Sequence, residues 1–228
     1  MYVLHIGNKN YSSWSLRPWL LMRVLDIAFE ERLTPFPAAP SFGLYRSFSP
    51  NGRVPCLVDD GWAVWDSLSI VEYLAERHPG VWPADAKARA WARSAAAEMH
   101  SSFTALRNDC PMSCGVRVEL LPMSGALTHD LFRMGDLWND GLARFGGPFL
   151  AGDRFGAVDA FFAPIAFRAQ SYGLTFEGEA ADYPRRLLDL PAMSEWYTAG
   201  LAETWREPGH EAEVAAAGTI VEDLRATA

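Results

Sequence analysis

The chain has 228 residues, half of them hydrophobic and 21% charged, with a formal net charge of −8 and an isoelectric point near 5.1. That length suits one large domain or two small ones, and that composition excludes a disordered chain. The acidic balance argues against nucleic acid or an anionic membrane surface as a partner, since both need clustered cations. No apolar run approaches the ~20 residues of a membrane helix. Met1 to His5 lacks the basic region and long apolar stretch of a signal peptide. The three cysteines, Cys56, Cys110 and Cys114, are odd in number. They point to a reducing compartment rather than a disulfide framework. A cytoplasmic protein with no membrane or nucleic-acid partner is expected.

Residues 2–6 are a β-prone run ended by Gly7, and Asn8 to Ser13 is polar and loop-like. From about Ser15 the apolar residues fall at helical spacing, with Leu16, Trp19, Leu20 and Val24 on one side. Pro18 is expected in the first turn of that helix, where its missing N–H costs little. Phe29 to Leu33 reads as a second strand, followed by a loop with Pro35, Pro37 and Pro40 and a short helix over 42–48. After the Ser49-Pro50-Asn51-Gly52 turn come strands over 54–58 and 62–65, joined by Asp59-Asp60-Gly61. Asp66 and Ser67 supply N-cap oxygens for a helix over 68–77.

His78 to Pro83 breaks the chain, and strand signals nearly vanish beyond it. Helices are expected over 84–106, 128–145, 158–171 and 191–205, and the tail from Pro208 has no clear pattern. The expected class is an α/β domain over 1–78, a linker over 79–86 and an all-helical domain over 87–228. Cys110 and Cys114 are four apart with no second pair, and His5, His78, His129 and His210 form no ligand spacing, so no metal site is expected. Cys56 is expected to be buried and inert.

Four segments, in this order, resemble the glutathione transferase superfamily. Tyr11-Ser12-Ser13-Trp14-Ser15-Leu16-Arg17 is similar to the S-S-C-S-x-R and S-P-F-S-x-R motifs of the serine-type zeta and tau classes. Asn51-Gly52-Arg53-Val54-Pro55 is similar to N-x-K-V-P, and Asp66-Ser67-Leu68-Ser69-Ile70-Val71-Glu72-Tyr73-Leu74 to E-S-x-A-I-x-x-Y-L. Gly152-Asp153-Arg154-Phe155-Gly156-Ala157-Val158-Asp159 is a weaker match to G-D-x-[FI]-[ST]-x-A-D.

The resemblance implies a thioredoxin-like domain followed by a helical-bundle domain, a homodimer, and glutathione lying across the first domain. It implies a cis Val54–Pro55 bond that turns the Val54 backbone outward, where an extended peptide can pair with it as an added strand. Ser67 and the helix N-terminus would take the γ-glutamyl carboxylate, and Asp66 the α-ammonium. Arg53 would meet a ligand carboxylate. Each of these also reads as ordinary structure: an edge-strand proline, a helix cap, a solvated arginine. A hydroxyl at the start of the first helix would bond the glutathione sulfur; Ser12 aligns with it, and Ser13 and Ser15 are the alternatives.

The implied activity is conjugation of glutathione to a small hydrophobic electrophile, with reduction of organic peroxides as a further reaction. Trp14, Phe103, Leu106, Arg107 and Met112 are expected around the electrophile, although core packing would also account for them. Two alternatives stand: a cis–trans isomerase of the maleylacetoacetate type, weakened because Trp14 replaces a cysteine, and a non-catalytic glutathione-binding protein on the same fold. Gly156 replaces the usual Ser or Thr of the helical-domain capping box, leaving Asp159 half of that arrangement.

Overall fold

In the computed structural model, which describes residues 1–37 and 42–226, β1 (Tyr2–Ile6) carries the fully buried Leu4 and Ile6 into the centre of a four-stranded sheet. The strand order is β2-β1-β3-β4. β2 (Phe29–Leu33) runs parallel to β1, β3 (Cys56–Asp59) antiparallel to β1, and β4 (Trp62–Val64) antiparallel to β3 at the edge. The β3–β4 turn places Asp60 at φ 46° and Gly61 at φ 85°, the left-handed pair that matches strand twist in a two-residue hairpin. Pro40 lies outside the described residues; the short helix α2 spans Phe42–Arg46.

α1 (Ser13–Val24) buries Leu16, Trp19 and Leu20. It begins two residues earlier than the spacing suggested, so Pro18 lies inside the helix rather than in its first turn. There it leaves the Trp14 carbonyl without an i+4 donor. α3 (Ser67–Ala75) is capped by Asp66, whose Oδ1 accepts the Leu68 N–H at 3.0 Å.

The helical half corrects the sequence reading twice. The single helix expected over 84–106 is two, α4 (Ala86–Ser101) and α5 (Thr104–Asp109). Phe103 breaks it with φ 59°. Arg107 caps the broken end by donating to the carbonyls of Met99, His100 and Ser102, and Asp130 accepts the Leu106 N–H at 3.0 Å. Second, the half is not all helical. β5 (Val116–Leu120) pairs antiparallel with β6 (Gly218–Asp223) near the C-terminus.

α6 (Gly125–Phe145) starts at the Ser124 cap and ends at Gly146, φ 78°. α7 (Ala157–Tyr172) is the axis of this half, buried at every residue but Gln170. α8 (Tyr183–Leu188), α9 (Pro191–Ala202) and α10 (Pro208–Ala217) complete it, α9 ending three residues short of expectation. Asp159 sits fully buried in the first turn of α7, where its carboxylate accepts the N–H of Leu150 (3.0 Å) and Gly156 (2.9 Å) and the Tyr183 hydroxyl (2.7 Å). Glycine has no side chain to complete the box, so the carboxylate side alone anchors α7.

The two halves join at the loop after β1. The buried Glu203 carboxylate, just past α9, accepts the backbone N–H of Lys9 (2.6 Å) and Asn10 (3.3 Å). Trp196 Nε1 donates to the Lys9 carbonyl at 2.8 Å, and Asn10 bonds Ser113, Cys114 and Gly115. At the C-terminus, Arg225 donates to Glu211 and Asp223, and Glu211 accepts the Tyr11 hydroxyl at 2.5 Å.

Two outcomes follow. Asp159→Ala strands three buried donors, so urea unfolding should show a loss of about 3 kcal/mol or more; a loss under ~1 kcal/mol would contradict the anchoring role. Arg225→Ala removes charge-assisted bonds that pin α10 and β6 to Tyr11. Limited proteolysis beyond α9 should accelerate about tenfold or more, the equivalent of roughly 1.4 kcal/mol of local stability; an unchanged rate would refute the pinning.

Candidate functional site

The site starts where β1 ends. A side chain at Gly7 would come within 2.7 Å of the Phe36 ring and 3.2 Å of Val54 Cγ2, so only glycine lets these segments approach. The Gly7 N–H donates to Ser15 Oγ at 3.2 Å. Ser15 and Ser12 then share a hydroxyl–hydroxyl bond of 2.7 Å. Ser12 holds the N-cap position of α1 without capping with its side chain. The pair has two hydroxyl protons and uses one between them. Ser12 donates in that bond and borders a cavity, whereas Ser15 is fully buried, so turning the Ser12 O–H about its C–O bond from Ser15 to the cavity offers its proton to a ligand.

That cavity, of about 570 Å³, lies between the halves. Ser12, Ser13, Trp14, Arg53 and Val54 line it from the first half. Arg107, Pro111, Met112 and Arg168 line it from the second, and His210 and Glu213 of α10 close one side. Val54 precedes a cis bond to Pro55, and among the described residues its N–H and C=O have no hydrogen-bond partner. His210 stacks on Phe36 with centroids 5.1 Å apart, which holds α10 over the cavity.

Seven of the residues singled out in the sequence therefore meet at one cavity: Ser12, Ser13, Trp14, Arg53, Val54, Arg107 and Met112. Others do not reach it. Ser15 stands behind Ser12, and Phe103 and Leu106 belong to the core. Phe103 is turned inward by the same left-handed break that splits α4 from α5. Asp66 and Ser67 lie off the lining; Asp66 Oδ2 faces His100 Nε2 at 3.3 Å. The Ser67 hydroxyl is fully buried with no partner.

Sequence reasoning missed Tyr11, Phe36, Tyr45, Arg168, His210 and Glu213. Their positions depend on which helix turns face the cleft, which one sequence does not display. Arg17 was legible as part of a motif but not as what it is: fully buried, its Nε and Nη1 unpartnered, its guanidinium 4.2 Å from the Trp14 ring centroid and 4.7 Å from that of Phe161. Burial, then the like charges of Arg107 and Arg168, work against its cation. The aromatic faces offset part of that cost.

The chain's own thiols are poor nucleophiles. Burial pushes Cys110 up to about 12 and Cys114 higher still, and raises Cys56 as well. All three are free and buried. Thiolate chemistry here needs an external thiol. Among the described residues no cluster of His, Cys, Asp and Glu could hold a metal ion.

Comparison with known proteins agrees with this architecture. Residues 11–77 match the family model described as glutathione S-transferase, N-terminal domain, and residues 126–199 the C-terminal domain. A probable maleylacetoacetate isomerase of Caenorhabditis elegans is 31% identical over 108 residues, 46% of this chain and 50% of that one. The chain thus spans half the length of that relative. A maleylacetoacetate isomerase of Pseudomonas aeruginosa is 30% identical over 157 residues, 65% of this chain and 70% of that one. A crystal structure of a glutathione transferase homolog from Burkholderia, with bound glutathione, superposes with a TM-score of 0.64 at 22% identity, covering 87% of this chain and 97% of that one. With both domain models matched across more than half of its residues, in the order and spacing the motifs suggested, the chain belongs to the glutathione S-transferase superfamily.

Proposed function

We propose that this protein binds glutathione, lowers the pKa of its thiol and transfers the thiolate to a small electrophile. One observation carries the reading: the Ser12 hydroxyl, at the mouth of α1, lines the same cavity as the unpartnered Val54 backbone. An extended tripeptide pairing with Val54 would bring its cysteine towards Ser12. A free thiol has a pKa near ~8.5. A hydroxyl donor and the positive end of α1 both favour its anion. Ser12 acts as a hydrogen-bond donor to sulfur, not as a nucleophile, and Ser13 stands beside it. Arg53 takes the glycyl carboxylate, while Asp66 and Ser67 take the γ-glutamyl end, where Ser67 has a hydroxyl to satisfy. Residues 1–78 form the glutathione domain, 79–86 the linker and 87–228 the acceptor domain.

In conjugation the sulfur lone pair forms one S–C bond. The electron pair of the bond broken in the acceptor leaves with its leaving group, and the thiol proton passes to solvent. The same thiolate would reduce an organic peroxide, two glutathiones giving one disulfide, an alcohol and water. A second reading is favoured by the two relatives named as maleylacetoacetate isomerases. Trp14, in place of the cysteine of that motif, counts against it.

Adding glutathione should produce the ultraviolet absorbance of a thiolate at pH 7. Ser12→Ala should remove most of it and lower kcat/KM by about 10²–10³, as for loss of one donor to a developing anion. Glutathione bound with no thiolate signal would instead indicate a binding protein. Thiolate formation with cis–trans isomerisation but no conjugation would indicate the isomerase.

The reading includes a cytoplasmic homodimer. Three unpaired buried cysteines suit a reducing compartment, and among the described residues no helix is long and apolar enough to cross a membrane. β4 is an edge strand with Trp62 72% exposed, beside Trp65 and the groove it makes with Leu68 and Tyr73 of α3. A second copy covering this edge would bury it. Sedimentation should show a dimer that Trp62→Glu dissociates; a dimer unaffected by that charge would place the interface elsewhere.

A further inference from the structure

The helical wall of the cavity is cationic, although the chain as a whole is acidic. Arg168, on α7, is 5% exposed; its Nε donates to the Cys110 carbonyl at 2.7 Å. Among the described residues its Nη1 and Nη2 have no protein acceptor, and the residue borders the cavity. Arg107 borders the same cavity, its guanidinium 4.5 Å from the Trp14 ring centroid, and its Nη1 has no protein acceptor among the described residues. Arg17 lies behind Trp14. Among the described residues none of the three has a carboxylate within the 4 Å of an ion pair.

Buried cations are normally paired, because an unpaired one loses hydration without return. Here burial and then the neighbouring Arg107 push Arg168 down to about 10, the mark of a cation short of a counter-anion. Among the described residues the only carboxylate bordering the cavity is Glu213, which is exposed and makes no ion pair with Arg168.

We propose that Arg168, with Arg107 beside it, is the specificity determinant of the acceptor site, and that the acceptor carries a carboxylate as well as an apolar body. The geometry separates this from the glutathione contacts. Arg53 and Val54 are on the first half, whereas Arg107 and Arg168 face them from the second. A guanidinium fork matches a carboxylate in two parallel bonds. Trp14, Phe36 and Met112 supply the apolar wall for the rest of the molecule. This replaces the purely hydrophobic electrophile expected from the sequence with an organic acid.

The proposal rests on the glutathione reading, so its test keeps the two apart. The probes are 4-chloro-3,5-dinitrobenzoate and its methyl ester, which differ in charge at one position. Wild-type kcat/KM should favour the acid, and Arg168→Met should cut the acid-to-ester ratio about 10- to 100-fold, the range of a charge-assisted bond. Arg168→Lys should restore part of it. Glu213→Gln, at an exposed position, should raise the ratio by removing the opposing charge.

Calorimetry in the presence of glutathione, with unreactive 3,5-dinitrobenzoate against its amide, reads the same preference without turnover. It uses the wild-type protein, so it decides the matter even if Arg168→Met fails to fold. An acid bound no tighter than the amide would overturn the proposal. So would an Arg168→Met loss confined to glutathione affinity, which would assign the arginine to glutathione. Absence of glutathione binding, with the acid preference intact, would sink the parent reading and leave the anion site standing.

Discussion

The fold depends on a buried carboxylate reaching from one half into the backbone of the other. Glu203 accepts two consecutive N–H groups of the Lys9–Asn10 loop, and burial raises its pKa against the pull of those donors. Two adjacent donors on one carboxylate fix the loop's direction as well as its distance. Lys9 is fixed a second time: its ammonium pairs with Glu31 at 2.8 Å and lies 5.0 and 5.5 Å from the Trp19 and Trp196 rings. The loop cannot rotate without uncovering a charge. Because Ser12 follows three residues after Lys9, the placement of its hydroxyl is inherited from this junction rather than from α1 alone.

That inheritance explains why the cavity sits between the halves. The loop's polar backbone is satisfied by α9 and by the segment around Ser113 and Cys114. This draws the start of α1 against the start of β5 and leaves an uncovered gap on one side. The gap is walled by whatever the helical half presents there, and it presents arginines. Trp14 takes part in both halves, with Arg17 and Arg107 each against its ring and the His100 ring edge-on at 5.2 Å. A cysteine at that position could not hold two guanidinium groups. Trp14 is therefore a support for the cationic wall as well as part of its surface.

Much of this was legible in the residues. Asp60-Gly61 declared the hairpin and Asp66 the cap of α3, because each acts through neighbours close in sequence. What stayed hidden acts over distance. β5 alternates Val116, Arg117, Val118 and Glu119 as a strand should, but its partner β6 is about a hundred residues away and follows a helix directly. The break at Phe103 is stabilised by Arg107 reaching back to carbonyls of α4, and no local glycine or proline marks it. Arg168 reads as one polar residue on an apolar helix; its meaning comes from Arg107 and the cavity, neither of which lies near it in sequence.

The C-terminal segment shows how the same scaffold can be retuned. α10 reaches the cavity through His210 and Glu213, while Glu211 on the same helix is tied to Tyr11 and Arg225. Tyr11 is held protonated by burial and by the Glu211 carboxylate, so it serves as a fixed donor and not as an acid–base group. His210 is fastened to Glu207 at 2.7 Å, which stiffens the turn that aims Glu213. The segment thus sets one negative charge on the cavity that the arginines border, while its contacts with Tyr11 and Phe36 fasten it to the first half. In the proposed reading, exchanging Glu213 would change which acids fit while leaving the Ser12 hydroxyl where it is. On the proposed roles, selectivity and activation are separable because Arg168 and Ser12 stand on different halves, joined through a loop that belongs to both.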